Sequence, residues 1–423
     1  MDLRPRLDDI PMEIMENILT LLALSDTCSL RLTGRKVSAK SSQGIFKSHF
    51  RNKTITMSSS EQLHRAVSMT QRQGFGCLLE HLTLVGLPKS RNPKDTAVLL
   101  GQTMRNLRLG LAGGCLLSLS LVIEDGVKYE GFRLINDSSI WKSVWETAGE
   151  CFEATMQALS ASELPVKSLD VFSGVTCCSL SLDRLATIGE LDLSAPLRRL
   201  KWLSMSLSHH MVYNLRRRGS EESEEMQALT TGERNTRAIC KFLQLCPDLE
   251  DLQLHWYRLR TTNLTNAISE ENLFFDRVAE SCRFPFLKRC ILKGIRTSAA
   301  TLLSFLRQMQ LNSIEMEEIH LQPGEFRLVF DFLAKHMDQL EHVHLNDLWE
   351  RRLIYFDAPG EPHFPGSRPP IGPNTLTRTG ADARMPIKYQ LSRGFALDSL
   401  KCSQWGKKKQ IQYGPPGKLF GKS

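Results

Sequence analysis

A leucine-spaced pattern recurs along most of the chain and constrains its fold more than any other feature. The spacing L-x-x-L-x-L, with other aliphatic residues, Met or Cys at the apolar positions, occurs eight times between residues 79 and 345. The copies are Leu79-Leu82-Leu84, Leu116-Leu119-Leu121, Val166-Leu169-Val171, Leu200-Leu203-Met205, Leu249-Leu252-Leu254, Leu287-Cys290-Leu292, Met316-Ile319-Leu321 and Leu340-Val343-Leu345. Their middle positions lie 24 to 50 residues apart. A standard leucine-rich repeat, at about 20–29 residues, is shorter and more regular.

Helical spacing of apolar residues fills several of the intervals between these copies. Five such segments are Ser139–Leu159, Thr236–Leu245, Glu271–Cys282, Ala299–Met309 and Phe326–Met337. The repeating unit is therefore strand, turn, helix and return, and it buries its apolar face only when units stack. The sequence predicts an α/β repeat, an irregular leucine-rich-repeat-like β/α solenoid, over residues 58–355. Ser58 and Glu61 have capping-box spacing and predict its first helix, with Leu63, Ala66 and Val67 inward.

Residues 1–57 have the composition of a small helical unit. Pro11 suits a first helical turn, and Met12–Leu22 contains no helix breaker. Polar residues occupy only a narrow stripe of that helix, so its apolar surface covers more than half of the circumference. A unit of about 50 residues has too little interior to bury such a helix on both sides. We expect a partner to cover part of it, either another protein or another part of this chain.

Composition and charge indicate a globular intracellular protein. Of the 423 residues, 41% are hydrophobic and 24% are charged, and no run of about 18 apolar residues predicts a membrane span. The first residues carry charges where a signal peptide needs an apolar stretch. Eleven cysteines without a C-x-x-C motif indicate reduced, mostly buried thiols. The expected location is cytoplasmic, nuclear or both.

The positive charge of the chain is concentrated in its C-terminal tail. Residues 356–423 contain eleven Lys or Arg against four Asp or Glu, in a chain whose net charge is +8. Half of the eighteen prolines lie there, so the tail is predicted to be mostly irregular, with Tyr389, Phe395 or Trp405 as local anchors. Lys407–Lys409 near Trp405 and Tyr413 would suit nucleic acid, although a solvated tail or a localisation signal is favoured. The charged segment Arg216–Glu225 is predicted to be a solvated loop.

The first fifty residues resemble the F-box found in filamentous fungi. Leu7-Asp8-Asp9-Ile10-Pro11-Met12-Glu13-Ile14 is similar to its L-x-x-L-P-x-E-I opening, and Ile18, Leu19 and Leu22 follow at the family spacing. Leu30-Arg31-Leu32-Thr33-x-Arg35, Lys40-Ser41 and Phe46–Phe50 are similar to its ending, while Gly34 and Lys36-Val37 replace the usual C-x-x-W. The remainder resembles the bodies of fungal F-box proteins, including Pro362-His363-Phe364, Leu376-x-Arg378-x-Gly380 and Tyr413-Gly414-Pro415-Pro416.

This resemblance implies a three-helix bundle that binds the Skp adaptor and, through it, the cullin of a ubiquitin ligase. The implied Skp-binding residues are Ile10, Pro11, Ile14, Ile18, Leu19, Leu22 and Leu30. The remainder of the chain would select a protein substrate for ubiquitin-dependent degradation. A ubiquitin-independent interaction scaffold is the alternative, and an RNA-binding protein that uses the basic tail is a third possibility.

The strand register predicts where a target protein binds. Residues between the leucines point to the opposite face of each strand, which places one short row per repeat on a common surface. The rows are His81 and Thr83; Ser118 and Ser120; Ser168 and Asp170; Trp202 and Ser204; Asp251, Gln253 and His255; Arg289, Ile291 and Lys293; Glu318 and His320; and His342 and His344. The expected target-binding residues are Trp202, His255, Arg289, Lys293, His320 and His344. Arg289 and Lys293 suit an acidic or phosphorylated segment, and binding through the loops is the alternative.

No pattern of catalytic residues is apparent in the sequence. The phosphate-binding loop, the nucleophile elbow and the H-E-x-x-H zinc motif are missing, so an enzyme with its own catalytic site is not expected. His320, His342 and His344, with Glu318, are the best metal candidates, since i and i+2 on a strand share a face. A polar recognition patch is the favoured interpretation, and neither a metal nor a cofactor is expected.

Overall fold

The computed structural model describes residues 7–71, 75–88, 95–111, 113–124, 138–208, 233–257, 272–362, 372–391, 409 and 412–413. These residues form a mixed α/β fold with an eleven-stranded, mostly parallel sheet. The helices are α1 Met12–Thr20, α2 Leu24–Arg31, α3 Arg35–Ser41, α4 Gly44–Ser48, α5 Ser60–Gln71, α6 Thr96–Gly110, α7 Ser138–Ser162, α8 Leu182–Thr187, α9 Ser194–Leu197, α10 Glu233–Gln244, α11 Phe274–Ser281, α12 Ala299–Leu306 and α13 Phe326–His336. The strands are β1 Asn52–Thr56, β2 His81–Gly86, β3 Ser118–Ile123, β4 Ser168–Val171, β5 Leu180–Ser181, β6 Trp202–Ser208, β7 Asp251–Tyr257, β8 Arg289–Lys293, β9 Arg296–Thr297, β10 Ser313–Glu317, β11 His320–Leu321, β12 His342–Asn346, β13 Ile354–Phe356, β14 Thr375–Thr379 and β15 Tyr389–Leu391.

Four short helices, α1 to α4, form a unit at the N-terminus with a small core of its own. Met15 and Leu19 of α1 pack with Val37 of α3, and all three are buried. The Lys40 ammonium donates a hydrogen bond of 2.7 Å to the carbonyl of Ile10, which fixes the turn before α1. The predicted apolar helix is α1, and the side of α1 that carries Met15 packs against α3 of the same unit.

The main sheet adds its strands almost in chain order, which is β1-β2-β3-β4-β6-β7-β8-β10-β12-β14, with β5 paired to β6. All neighbours are parallel except β12 and β14. Parallel neighbours require a crossover, and helices supply most of them. Buried residues alternate with partly exposed ones along β3, β4, β10 and β12, as expected for strands with one face in the core.

The helices pack side by side and share one continuous hydrophobic core with the sheet. Neighbouring pairs are α5 with α6, α6 with α7, α8 with α10, α10 with α11, α11 with α12 and α12 with α13. The core runs without a break from Ile55 in β1 to Ala383 beyond β14. The five helical segments predicted from spacing are confirmed as α7, α10, α11, α12 and α13. Helix α6 was not predicted, although it is fifteen residues long.

The predicted strand register is confirmed in seven of the eight repeats and is wrong in one. In β10 the buried residues are Ile314 and Met316, and Glu315 pairs with Ile291 and His344. The sequence prediction used the frame Met316-Ile319-Leu321, which belongs to the end of β10 and to the short strand β11. Both frames fit L-x-x-L-x-L because Leu311, Ile314, Met316, Ile319 and Leu321 overlap. Only pairing with the neighbouring strands distinguishes them.

The C-terminal region is more ordered than the sequence predicted. Strand β14 pairs antiparallel with β12 and places Leu376 opposite Leu345 in the core. Strand β15 pairs with β13, and the Tyr389 hydroxyl donates a 2.5 Å hydrogen bond to the buried carboxylate of Glu350. Tyr389 is therefore an anchor, as predicted, whereas the prediction of an irregular segment is wrong for residues 372–391. Phe395 and Trp405 lie outside the described residues.

Two predicted boundaries shift, and one predicted loop lies outside the described residues. Strand β1 begins at Asn52, so the sheet starts before the predicted end of the helical unit at residue 57. Helix α5 begins at Ser60, and the hydroxyl of Ser59 rather than Ser58 accepts a hydrogen bond from the N–H of Gln62, at 3.3 Å. The predicted loop Arg216–Glu225 falls within residues 209–232, which the structure does not describe.

Candidate interaction surfaces

The N-terminal helical unit exposes apolar side chains next to its small core. Leu21 and Leu32 are 86% and 88% exposed, and Ile14 is 50% exposed. Pro11 and Leu24 are also exposed. We use the name apolar module face for these five residues, which share their exposure on the helical unit. Pro11 and Ile14 are among the predicted Skp-binding residues, whereas Leu21, Leu24 and Leu32 are not. The signal for Leu21 was the apolar surface of the first helix, which covers more than half of its circumference.

The other predicted Skp-binding residues lie deeper in the unit. Leu19 is 1% exposed and packs against Met15 and Val37, so it offers almost no surface to a partner in this conformation. Ile10, Leu22 and Leu30 are partly buried against the same core, and Ile18 is partly buried in α1. They support the helix that presents Ile14.

The second surface is the side of the main sheet that carries the residues between the core leucines. We call it the polar strand face. Along β6, β7, β8, β10, β12 and β14, three rows cross it: Trp202, Asp251, Arg289, Ser313, His342 and Thr379; Ser204, Gln253, Ile291, Glu315, His344 and Thr377; and Ser206, His255, Lys293, Glu317, Asn346 and Thr375. The structure thus brings together five of the six predicted target-binding residues, namely Trp202, His255, Arg289, Lys293 and His344.

The cations on this face are already paired with carboxylates. Arg289 lies 2.9 Å from Glu315 and 3.7 Å from Asp251. The Lys293 ammonium lies 2.7 Å from Glu317. Acidic side chains therefore outnumber basic ones among these residues, which leaves little positive charge for the acidic or phosphorylated segment that the sequence suggested.

A feature that sequence reasoning missed is the packing of three C-terminal residues on this face. We call Lys409, Gln412 and Tyr413 the C-terminal anchor. Lys409 is 5% exposed, and its ammonium forms ion pairs with Glu318, at 3.1 Å, and with the buried carboxylate of Asp347. The Lys409 ammonium also lies 5.0 Å from the centre of the Tyr413 ring, within cation–π range. No local pattern could reveal this contact, because the partners lie far apart in the sequence.

The rest of the anchor covers the third row of the face. The Tyr413 hydroxyl donates a hydrogen bond of 3.1 Å to Glu317, and the ring packs at 5.5 Å from that of His255. The ring N–H of His255 donates to the carbonyl of Gln412 at 2.6 Å. His255 therefore contacts the C-terminal anchor directly, and Lys293 shares the carboxylate of Glu317 with Tyr413.

Burial under the anchor shifts the pKa values of the covered groups. Burial, reinforced by the nearby Lys293 charge, lowers the pKa of His255 to about 4 despite the hydrogen bond to Gln412. Burial also raises the pKa of Tyr413 far above its usual value, and the Glu317 carboxylate adds to the effect. Burial alone would raise the pKa of Glu317, but the Lys293 ammonium and the Tyr413 hydroxyl hold this pKa below its usual value. In the neutral range the face thus presents a neutral His255 and an ionised Glu317.

The three histidines of the metal hypothesis do not converge. His320 lies in β11 of a separate two-stranded sheet, where it stacks on Trp349 at 5.4 Å and lies 3.2 Å from Glu318. His344 lies on the main sheet, and its ring contacts the Thr377 hydroxyl at 2.8 Å. The predicted equivalence of His320 and His344 is wrong, because Glu315 is the residue that pairs with His344. Within the described residues, no group of three His, Cys, Asp or Glu is placed to hold a metal ion.

The nucleic-acid hypothesis for the tail loses two of its residues to this packing. Lys409 and Tyr413 are both buried, so neither offers charge or a ring face to a nucleotide in this conformation. Lys407, Lys408 and Trp405 lie outside the described residues. The described residues Lys409, Gln412 and Tyr413 therefore belong to the polar strand face.

No protein-family profile matches the chain, and no curated protein matches it significantly. Among the helices that the structure describes, none has both the length and the apolar character needed to cross a bilayer.

Proposed function

We propose that the chain is the substrate-recognition subunit of a Skp–cullin–F-box ubiquitin ligase. In this proposal α1 to α4 form an F-box that binds Skp, and the sheet body is an irregular leucine-rich-repeat-like solenoid that holds the target protein. The chain has no catalytic site of its own, uses no cofactor, and acts in the cytoplasm, the nucleus or both. The rival proposal is an interaction scaffold that works without ubiquitin.

The observation that carries the proposal is the apolar module face. Ile14, Leu21 and Leu32 lie on a helical unit whose core is already filled by Met15, Leu19 and Val37. Large exposed apolar side chains concentrated in so small a unit are typical of a protein-binding site. The position of these residues within the F-box-like sequence supports Skp as the occupant.

The chain also offers a second surface for the target. Neighbouring strands align their side chains in rows across the polar strand face. Trp202 and Arg289 stand in one row, and His344 stands in the next. Repeat proteins commonly bind partners on such extended surfaces. One chain therefore has the two separate surfaces that a substrate adaptor needs.

The test is co-purification of Skp with a double variant, Pro11→Ala with Ile14→Ala. Both residues are exposed, so the substitutions remove partner contacts while the Met15 core stays intact. Truncation of an interface anchor typically costs about 2 kcal/mol or more, so we expect Skp retention to be lost. Circular dichroism should show an unchanged fold.

A matched control replaces exposed apolar residues outside the module, Leu109→Ala with Leu328→Ala. This control should retain Skp at the wild-type level. Retention by the Pro11→Ala, Ile14→Ala variant at the same level would move the Skp site away from the apolar module face. A wild-type chain that does not retain Skp at all would favour the ubiquitin-independent scaffold.

A further inference from the structure

Three successive repeats share a special backbone position directly after the strand. Gly294 follows β8, Glu318 follows β10 and Asp347 follows β12, and each has a positive φ, of 75°, 54° and 51°. Glycine adopts this conformation readily, whereas a residue with a side chain is strained there by about 1–3 kcal/mol. Carboxylates therefore occupy two of the three positions in spite of a local backbone cost, which points to a role for the side chains themselves.

The three positions lie side by side at the carboxyl ends of β8, β10 and β12, and we call the site that they line the pocket. Glu318 and Asp347 are 5% and 0% exposed, and Asn374 donates a hydrogen bond to the Asp347 carboxylate. Two carboxylates buried side by side repel each other unless a cation lies between them. Gly294 leaves the third side open, since a Cβ there would lie 3.1 Å from the Tyr413 ring.

The pocket holds a matching pair of groups in this structure. The Lys409 ammonium pairs with Glu318 and Asp347, while the Tyr413 ring lies against Gly294 and its hydroxyl reaches Glu317. Lysine and tyrosine four residues apart lie on the same side of one helical turn. The chemistry selected is therefore a primary ammonium followed, one turn later, by a phenol.

The occupied pocket lies on the same face that the proposed target would use. The described contacts of the anchor are side-chain contacts and the Gln412 carbonyl, with no strand pairing to the sheet. On the same face, the buried hydroxyls of Ser204 and Ser206 have no hydrogen-bond partner among the described residues. The contacts of the C-terminal anchor can therefore be replaced by equivalent contacts from another protein without loss of any strand pairing.

We propose that this pocket recognises a Lys-x-x-x-Tyr segment of the target protein, and that Lys409 and Tyr413 occupy it until the target displaces them. This inference rests on the proposed function, because it gives the class of target that the adaptor holds. The target segment is basic and aromatic, which replaces the acidic segment suggested by the sequence. The C-terminal anchor then acts as an internal competitor that admits only targets able to reproduce its contacts.

The test uses the full chain and a labelled peptide with the sequence of residues 405–417, WGKKKQIQYGPPG. In the variant Lys409→Ala with Tyr413→Ala the internal competitor is removed, so the peptide should bind at least about ten-fold more tightly than to the wild type. Adding Asp347→Asn to that variant should weaken peptide binding by at least about ten-fold. A control variant, Lys335→Ala, removes an exposed lysine on α13 and should behave like the wild type.

Two further outcomes would overturn the assignment. A peptide with alanine in place of the lysine and the tyrosine that correspond to Lys409 and Tyr413 should not bind, and equal binding would show that the pocket does not read these groups. Equal affinity of the intact peptide for the wild type and for the double variant would show that the anchor is no competitor.

A second measurement needs no substitution and therefore does not depend on the folding of a variant. Acetylation of the wild-type chain, followed by mass spectrometry, should modify Lys409 at least about ten-fold more slowly than Lys335, whose side chain is 67% exposed. Excess peptide should accelerate modification of Lys409 and leave Lys335 unchanged. Rapid modification of Lys409 without peptide, or slow modification with it, contradicts displacement.

Skp retention separates this inference from the proposed function. The Lys409→Ala, Tyr413→Ala variant should retain Skp fully, because its substitutions lie outside α1 to α4. Peptide binding as expected without Skp retention by the wild type would overturn the ligase role and keep the pocket. Skp retention without peptide binding would overturn the assignment of the pocket and keep the ligase role.

Discussion

Gly294 lines the pocket and has a backbone conformation and surroundings that leave no room for a side chain. Its φ is +75°, and a Cβ added there would lie 2.2 Å from the carbonyl oxygen of Trp256. Backbone atoms do not yield to such a contact as a flexible side chain would. The N–H of Gly294 also donates to the carbonyl of Glu317 at 2.9 Å, which ties β8 to β10 beside the pocket.

We expect Gly294→Ala to lower the free energy of unfolding by at least about 2 kcal/mol, because positive φ alone costs an L-residue about 1–2 kcal/mol. The measurement is the urea midpoint, with Gly174→Ala as the control. A Cβ at Gly174 would meet no atom within 4 Å, so that change should be nearly neutral. Equal midpoints for the two variants would show that the backbone near Gly294 relaxes freely.

His255 gives the molecule a pH dependence of definite sign. Its pKa in the folded chain is about 4, below the unfolded value of about 6.5, so between these values the unfolded chain binds more protons. Stability therefore falls as pH falls through this window, by about 2 kcal/mol between pH 7 and pH 5 for this group alone. His255→Gln keeps an N–H donor for Gln412 and does not titrate.

The difference in unfolding free energy between pH 7 and pH 5 should thus be smaller in His255→Gln than in the wild type. All groups other than residue 255 are common to the two proteins, so their contributions cancel in this comparison. Identical pH dependence would mean that His255 is solvated in the folded chain.

At the scale of the element, the apolar pattern predicts that a strand is present. It predicts which residues of the strand are buried only where the L-x-x-L-x-L spacing fits in a single way. Seven strands had a single L-x-x-L-x-L match and were placed correctly, whereas β10 had two overlapping matches separated by five residues. Strand β14 reads Thr-Leu-Thr-Arg-Thr, so Leu376 alone marks its buried face. A single apolar residue is no pattern, which is why this antiparallel edge strand was predicted as irregular chain.

The candidate interaction surfaces were predictable from the sequence to the extent that they follow the geometry of helices and strands. The common face of Trp202, Arg289 and His344 was predicted from the alternation of side chains along a strand. The exposure of Ile14 was predicted because the first helix has more apolar surface than so small a unit can bury. The C-terminal anchor was not predictable, because Lys409 meets Glu318 and Asp347 only after the sheet is assembled. Contacts of this kind depend on tertiary structure and leave no periodic signal in the sequence.

Among the described residues, the N-terminal helical unit and the sheet have separate hydrophobic cores of very different size. Met15, Leu19 and Val37 form the centre of one, while the other is continuous from Ile55 to Ala383. The two parts meet where α4 packs on the short 3-10 helix Phe75–Leu78. A core of a few side chains supplies little stabilisation, so the helical unit should open at a lower free energy than the sheet.

We expect Met15→Ala to unfold the helical unit and leave the sheet intact. Loss of a fully buried methionine costs about 2–5 kcal/mol, which is as large as the stability that so small a unit is expected to have. Hydrogen exchange read by mass spectrometry should therefore accelerate throughout α1 to α3 and remain unchanged in β3, β6 and β12. Met104→Ala, at an equally buried position in α6, is the control and should accelerate exchange in the sheet. If Met15→Ala accelerates exchange in both parts equally, the two cores unfold as one unit, and loss of Skp binding in a module variant would no longer identify a separate docking surface.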